Sequence, residues 1–270
     1  MLLHFYKMNG AGNDFVVVDN RDLSLALTGD QIALLCDRHR GIGADGLLAV
    51  EPAEHGADFR FRYYNADGGE AEMCGNGARC FGRFTAALLP GEPEKVTFET
   101  IAGTLAAHLV DDDIRIAMSD PKDLRLDTGA SVPGLDATLH FLNTGVPHVV
   151  AYVDDLAGTD VFTHGRAIRH HEAFAPSGTN ANFATVLAPG HIAIRTYERG
   201  VEDETLACGT GMVACALVHH LLTGAPSPIQ VDVKGGDTLE IGFETAPDGS
   251  FRQVTLTGPA DFIFEGDIEI

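Results

Sequence analysis

Short apolar runs broken by glycine, proline, aspartate and asparagine dominate this chain, and most have the length and spacing of buried or half-buried strands. Leu2–Phe5 and Phe15–Asp19 predict two strands joined by the glycine-rich turn Asn9-Gly10-Ala11-Gly12. Asp30–Arg38 predicts a helix that ends before Gly41. Leu47–Val50 and Phe59–Tyr64 are strand-like again, followed by a turn over Asn65–Gly69. After Cys74 the period changes. Ala78, Phe81, Gly82, Thr85, Ala86 and Leu89 recur at three and four, which predicts a helix stopped by Pro90-Gly91. Val96–Thr100, Leu105–Val110 and Ile114–Ala117 then predict a strand series, with tight turns at Ala102-Gly103 and Asp111–Asp113.

The second half repeats this order. Leu139–Leu142, Val149–Val153, Ala184–Leu187 and His191–Tyr197 predict strands. A helix from near Cys208 runs through Ala216, Leu217 and Leu221 to Gly224, and strands follow at Ile229–Val233, Thr238–Phe243 and Val254–Thr257. The two cysteine segments share the core Cys-Gly-x-Gly: Cys74-Gly75-Asn76-Gly77 and Cys208-Gly209-Thr210-Gly211. Phe15 precedes Cys74 by 59 residues and His148 precedes Cys208 by 60. Gly43-Ala44-Asp45-Gly46 and Gly178-Thr179-Asn180-Ala181 hold matching places between these landmarks. A period this long is that of two similar domains rather than a solenoid. The predicted fold class is α/β of the α+β type, with domains over 1–118 and 119–260. The stretch 261–270 is expected to return to the first domain. The small and apolar helix after each cysteine motif is expected to pack inside a curled sheet.

Charge narrows the partners. Lys and Arg number 18 against 39 Asp and Glu, a net charge of −21, which excludes the usual nucleic-acid footprint and an anionic membrane surface. No window is long and apolar enough to span a membrane, and the first residues lack a signal-peptide pattern, so a cytoplasmic protein is expected. The five cysteines (Cys36, Cys74, Cys80, Cys208 and Cys215) include no CxxC pair, which argues against a disulfide framework or a zinc ribbon. His171-Glu172 has no second His in HExxH register, because position 175 is Ala. Gly209-Thr210-Gly211-Met212-Val213-Ala214 matches the dinucleotide pattern. The acidic segment Glu202-Asp203-Glu204 before it does not suit the buried strand that pattern needs.

A cysteine at a helix start is ordinarily a small buried hydrophobe. Two at equivalent places of a repeat say more. The first turn of a helix offers N–H groups and partial positive charge, which favour a thiolate and bind a carboxylate. Gly75, Gly77, Gly209 and Gly211 are expected to let a ligand approach the backbone. A thiol on each side of an amino-acid α-carbon makes a two-base racemase, one thiolate removing the proton and the opposite thiol supplying another. Arg199 is a candidate carboxylate clamp. Glu198 and His148 are candidates to tune the thiols, and Asn13, Asn65 and Asn180 stand at turns or strand ends. Cys36, Cys80 and Cys215 are expected to be core residues.

The motifs Lys7-Met8-Asn9-Gly10-Ala11-Gly12-Asn13-Asp14-Phe15, Tyr64-Asn65-Ala66-Asp67-Gly68, Asn143-Thr144-Gly145-Val146-Pro147-His148 and Glu198-Arg199-Gly200, with the two cysteine motifs, resemble the diaminopimelate epimerase family over nearly the whole chain. The resemblance implies cofactor-independent interconversion of LL- and meso-2,6-diaminopimelate, two pseudo-symmetric domains with the active site in the cleft between them, and a homodimer. It implies that Cys74 and Cys208 are the acid and base, assisted by His148 and Glu198. It implies substrate contacts from Asn13, Asn65, Gly75, Asn76, Asn180, Glu198, Arg199, Gly209 and Thr210. Two positions depart from the pattern. Gly46 and Val146 stand where some members carry Gln and Asn, so each lacks a polar side chain expected near the substrate. Proline and hydroxyproline racemases resemble the same plan and also use paired thiols. Isomerases of the phenazine-biosynthesis type lack the pair, and a non-catalytic binding protein on this fold is a third class.

Overall fold

The computed structural model describes residues 1–270 except Glu72, Glu92 and Ala102, so the turn expected at Ala102-Gly103 lies partly outside the described residues. The chain opens with a hairpin of β1 (Leu2–Gly10) and β2 (Asn13–Asp19). Its two-residue turn takes Ala11 to φ 59° and Gly12 to φ 86°, the left-handed pair that matches strand twist, and Asn9 Oδ1 accepts a bond from Gly12 N. Helix α1 (Gly29–Cys36) starts in a capping box between Thr28 and Gln31. It carries the chain across to β3 (Gly46–Glu51), which runs parallel to β2, as a parallel pair requires. Strands β4 (Phe59–Asn65) and β5 (Glu70–Ala71) follow, antiparallel. Helix α2 (Gly75–Leu88) is the second crossover, leading to β6 (Lys95–Thr100), β7 (Gly103–Val110) and β8 (Asp113–Ala117).

The next nine strands retrace this plan. They are β9 (Lys122–Arg125), β10 (Leu139–Asn143), β11 (Pro147–Tyr152), β12 (Asn180–Ala188), β13 (His191–Glu198), β14 (Asp203–Thr205), β15 (Ile229–Asp232), β16 (Thr238–Thr245) and β17 (Phe251–Gly258). Helix α3 (Val161–Arg169) bridges the parallel pair β11–β12, and α4 (Gly209–Thr223) leads from β14 to β15, which is parallel to β13. The last strand, β18 (Asp261–Glu269), pairs antiparallel with β1, just as β9 pairs with β10. Two compact units result: Met1–Ile116 with Gly258–Ile270, and Ala117–Thr257.

Within the first unit α2 touches β1, β2, β3, β4, β6 and β7; within the second α4 touches β10, β11, β12, β13, β15 and β16. The strands of each unit therefore wrap their own central helix. The outer face is covered as well. Val16 and Val18 pack with Ile32 and Leu35 of α1, and Val149 and Ala151 pack with Val161 and Ile168 of α3. With both faces covered, β2 reads as the unbroken buried run Phe15-Val16-Val17-Val18 rather than alternating. Alternation still decides direction. Val16 and Val149 face the outer helices, so Phe15 and His148 face the central ones.

Register fixes the equivalences. Val16, Leu47 and Tyr64 stand side by side across β2–β3–β4, as Val149, Ala181 and Tyr197 do across β11–β12–β13. Phe15 thus matches His148, Gly46 matches Asn180, Leu48 matches Asn182, Tyr63 matches Thr196 and Asn65 matches Glu198. The sequence alignment of Gly43–Gly46 with Gly178–Ala181 is one residue out, because Gly46 enters the sheet three residues after Gly43 while its match, Asn180, enters two after Gly178.

Candidate active site

In the first unit Cys74 is the N-cap of α2, with φ −130° and ψ 126°. Its Sγ lies 3.5 Å from Asn13 Oδ1, and Asn76 Nδ2 lies 3.4 Å from the same oxygen. The orientation of Asn13 is set from behind, where its Nδ2 donates to Asp45 Oδ2 at 2.5 Å. A carboxylate only accepts, so the amide nitrogen faces Asp45 and the amide oxygen faces the thiol. Cys74 therefore meets an acceptor and donates its S–H. Asp45 is held by Arg38 at 2.7 Å, which also grips Asp14; Lys7, buried, reaches Asp14 at 2.7 Å. Burial opposes ionisation of Asp14, but the hydrogen bonds and charges of Arg38 and Lys7 outweigh it and hold the carboxyl at about 2. Asn65 ends β4 exposed, its Oδ1 accepting from Tyr63 Oη at 2.8 Å. A side chain at Gly46 would stand 2.6 Å from Tyr64 O and 2.8 Å from the Tyr63 ring. The ring of Tyr63 fills the place a longer side chain would need.

In the second unit Cys208 caps α4 in the same way, with φ −123° and ψ 108°. Its Sγ lies 3.6 Å from Thr210 Oγ1. Thr210 Oγ1 lies 2.9 Å from His148 Nε2, and His148 Nδ1 lies 3.1 Å from Asn182 Nδ2. Asn182 also donates to Val149 O at 2.8 Å and accepts from Thr196 Oγ1 at 3.0 Å. His148 has no exposed surface. Burial above all, with the nearby Arg199 charge, lowers its pKa to about 3. The ring is therefore neutral at physiological pH.

The remaining residues expected at the site spread over the same element ends. Asn180, buried at the start of β12, spends its side chain on backbone: Oδ1 accepts from Arg199 N at 2.8 Å and Nδ2 donates to Pro147 O at 3.1 Å. Arg199 gives one guanidinium nitrogen to Ser177 O at 3.1 Å. Glu198 ends β13 half-buried, across from Asp203. Gly75 and Gly209 open their helices, half-buried, beside the buried Asn76 and the half-buried Thr210. At Gly77 and Gly211 the missing Cβ makes room for the sheet. An added Cβ at Gly211 would meet Asn182 Oδ1 at 2.4 Å, and one at Gly77 would meet Leu48 at 3.3 Å and Phe15 at 3.4 Å, so both glycines face the sheet.

Sequence reasoning missed Asp45, Tyr63, Asn182 and Thr196. The available signal was Asn180-x-Asn182, two polar residues on one face of a strand that should be apolar there. Cys36, Cys80 and Cys215 are buried, as expected; burial pushes the first two thiols up to about 11 and about 12 and the third higher still. Among the described residues no group of His, Cys, Asp and Glu could hold a metal ion, and no helix is long and apolar enough to cross a membrane.

Solved structures share this fold across their whole length. A phenazine biosynthesis protein of the PhzF family from Bacillus anthracis superposes with TM-score 0.75 at 16% identity, covering 100% of both chains. A probable proline racemase from Agrobacterium radiobacter gives 0.70 at 18%, covering 99% of this chain and 92% of the other. The fold is thus the one built from two pseudo-symmetric domains in PhzF proteins and proline racemases, and the protein is an isomerase of the amino-acid epimerase class. The family described as diaminopimelate epimerase matches residues 5–124 and 140–263. The diaminopimelate epimerase of Chlorobaculum tepidum is 45% identical over 97% of this chain and 100% of its own, and that of Aquifex aeolicus is 40% identical over 98% and 97%. The chain belongs to the diaminopimelate epimerase family.

Proposed function

We propose that the protein interconverts LL- and meso-2,6-diaminopimelate without a cofactor, with Cys74 and Cys208 acting on opposite faces of one α-carbon. The observation that carries this reading is the opposite sense of the hydrogen bonds at two matched thiols. Cys74 donates to the amide oxygen of Asn13, which favours the thiol. Cys208 lies within reach of a hydroxyl, Thr210 Oγ1, that can donate to it, which favours the thiolate. A resting pair of one thiolate and one thiol is what a two-base step needs.

In one direction Cys208 Sγ removes the α-proton and becomes a thiol. The electron pair left on the α-carbon spreads into the substrate carboxylate, whose growing charge is met by N–H groups at the helix starts Gly75-Asn76 and Gly209-Thr210. Cys74 then delivers its proton to the opposite face and is left as thiolate, and the reverse reaction exchanges the roles. His148 and Glu198 assist the thiols, while Asn13, Asn65, Asn180, Glu198 and Arg199 hold the amino-acid ends of the substrate. This assignment requires both helix starts to face one substrate. On the family's resemblance, the reaction supplies lysine and peptidoglycan synthesis in the cytoplasm. A homodimer formed through β18 is part of the same reading, supported by Phe262, Ile263 and Phe264, which are 47%, 55% and 51% exposed.

The test is proton NMR of LL-diaminopimelate in D2O with reduced enzyme. Loss of the α-proton signal with growth of the meso isomer is expected, together with loss of epimerisation in Cys74→Ala and in Cys208→Ala. Full turnover in either variant sinks the two-thiol mechanism. Exchange of proline or hydroxyproline, with diaminopimelate inert, moves the reading to a racemase of cyclic substrates.

A further inference from the structure

The polar set beneath α4 is not required by the fold. At the matched places in the first unit stand Phe15, Leu48 and Tyr63, where the second has His148, Asn182 and Thr196. Phe15 and Leu48 have no exposed surface, and neither have His148 and Asn182. Burying an imidazole and an amide costs free energy unless every hydrogen-bonding atom is matched, whereas the apolar set gains from the same burial. The second unit keeps the costly set, matches it in full, and leaves position 211 without a Cβ so that Asn182 Oδ1 can sit there.

We propose that Asn182 is a positioning residue: it locks His148 in the Nε2–H tautomer and so turns the Thr210 hydroxyl proton toward Cys208 Sγ. This rests on the two-thiol reading above and names the residue that prepares one thiol for it. Each bond in the chain admits one direction. Val149 O can only accept, so the nitrogen of Asn182 faces it, and Thr196 Oγ1 donates to the amide oxygen on the other side. The second N–H of that amide points at His148 Nδ1, which must then be the unprotonated nitrogen. Nε2 carries the hydrogen and donates to Thr210 Oγ1. With its lone pair engaged, the hydroxyl has its hydrogen left to give to Cys208 Sγ at 3.6 Å. Two further charged or titratable groups bear on this set: Arg199, whose charge acts on His148, and the buried Cys215, which Cys208 acts on.

The experiment needs three measurements on the reduced, full-length protein. Long-range proton–nitrogen correlation with 15N-histidine labelling reads the tautomer of His148. Iodoacetamide labelling as a function of pH, mapped by mass spectrometry, reads Cys208 and Cys74 separately. Steady-state kinetics give kcat and KM. In the wild type His148 is expected with Nδ1 unprotonated and Nε2 protonated. Asn182→Leu, which installs the residue found at the matched place, should mix the tautomers. It should slow labelling of Cys208 about threefold or more near neutral pH, leave the Cys74 profile in place, and lower kcat more than it changes KM. Thr210→Val should slow Cys208 labelling with the tautomer intact, which separates the hydroxyl from the ring should Asn182→Leu fail to fold. A protonated Nδ1 in the wild type overturns the proposal, and so does an unchanged Cys208 profile in either folded variant. The tautomer and labelling readouts do not depend on turnover. Inertness toward diaminopimelate therefore counts against the proposed reaction alone, and an unchanged profile in an active enzyme counts against Asn182 alone.

Discussion

Gly77 and Gly211 hold the same place in their helices but have different neighbours, and the difference gives opposite outcomes for one substitution. Alanine is favoured over glycine in a helix by about 1 kcal/mol. At position 77 the added methyl would meet Leu48 and Phe15 at 3.3–3.4 Å, a contact that small side-chain shifts relieve, so Gly77→Ala should leave stability within about 1 kcal/mol of the wild type. At position 211 it would stand 2.4 Å from Asn182 Oδ1, inside a network with no slack. Gly211→Ala should cost about 1–3 kcal/mol despite its helix propensity. Urea unfolding of the two variants checks the order, and equal costs would contradict it. The thiols divide in the same way. With burial holding Cys36, Cys80 and Cys215 protonated, iodoacetamide at neutral pH should label Cys74 and Cys208 and spare the other three in the native protein.

Helix α4 carries a buried imidazole that no hydrogen bond answers among the described residues. His219 is 1% exposed, neither ring nitrogen makes a hydrogen bond, and burial lowers its pKa, with the His220 charge adding to the effect. His219→Leu should therefore raise stability by about 1 kcal/mol or more, seen as a shifted urea midpoint at neutral pH, with a larger gain in mild acid. At this scale the sequence was legible where one period ran unbroken. Both central helices were foreseen from their small and apolar spacing, and they start at Gly75 and Gly209 directly after the cysteines. Helix α3 was not foreseen, because only Val161, Gly165 and Ile168 of its nine residues are buried and so narrow a stripe gives no clear period. Strand β12 was expected from Ala184 but begins at Asn180, since asparagine by itself favours turns while the burial of Asn180 and Asn182 depends on partners far along the chain. The cysteines, the glycines and His148 could be read from the repeat. Of their supports, Asn182 left a trace in the pattern Asn180-x-Asn182, while Asp45, Tyr63 and Thr196 left none, because a hydrogen bond across strands leaves no local pattern.

For the molecule as a whole, acid is the sensitive direction. Buried His148, with pKa lowered from 6.5 to about 3, stays neutral in the folded protein while the unfolded chain takes up a proton, so stability is full above pH 6.5 and falls until pH 3. His140 and His219, also lowered, act with the same sign. Asp14 adds a later loss, since its contribution is present above 3.8 and disappears as pH falls to about 2. Thermal unfolding followed downward from about pH 8, below the thiol range, should show a midpoint that is flat to pH 6.5 and declines below it; a midpoint that rises on mild acidification would contradict the assignment. The strand that completes the first unit has a different consequence. Removing 259–270 takes β18 from β1, Phe262 from Phe84 and the Pro259 carbonyl from Arg79, and the two last contacts anchor the helix that Cys74 begins. Such a truncation should unfold the first unit while the second keeps its helix content by circular dichroism. On a translating ribosome the same dependence reverses the usual order of events. The half with Cys208 has all its strands by Gly258, while the half with Cys74, though made first, must wait for β18 to emerge. On the two-thiol reading, a nascent chain held up between Gly258 and the start of β18 would hold the Cys208 half complete and the Cys74 half unfinished, so activity would wait for β18.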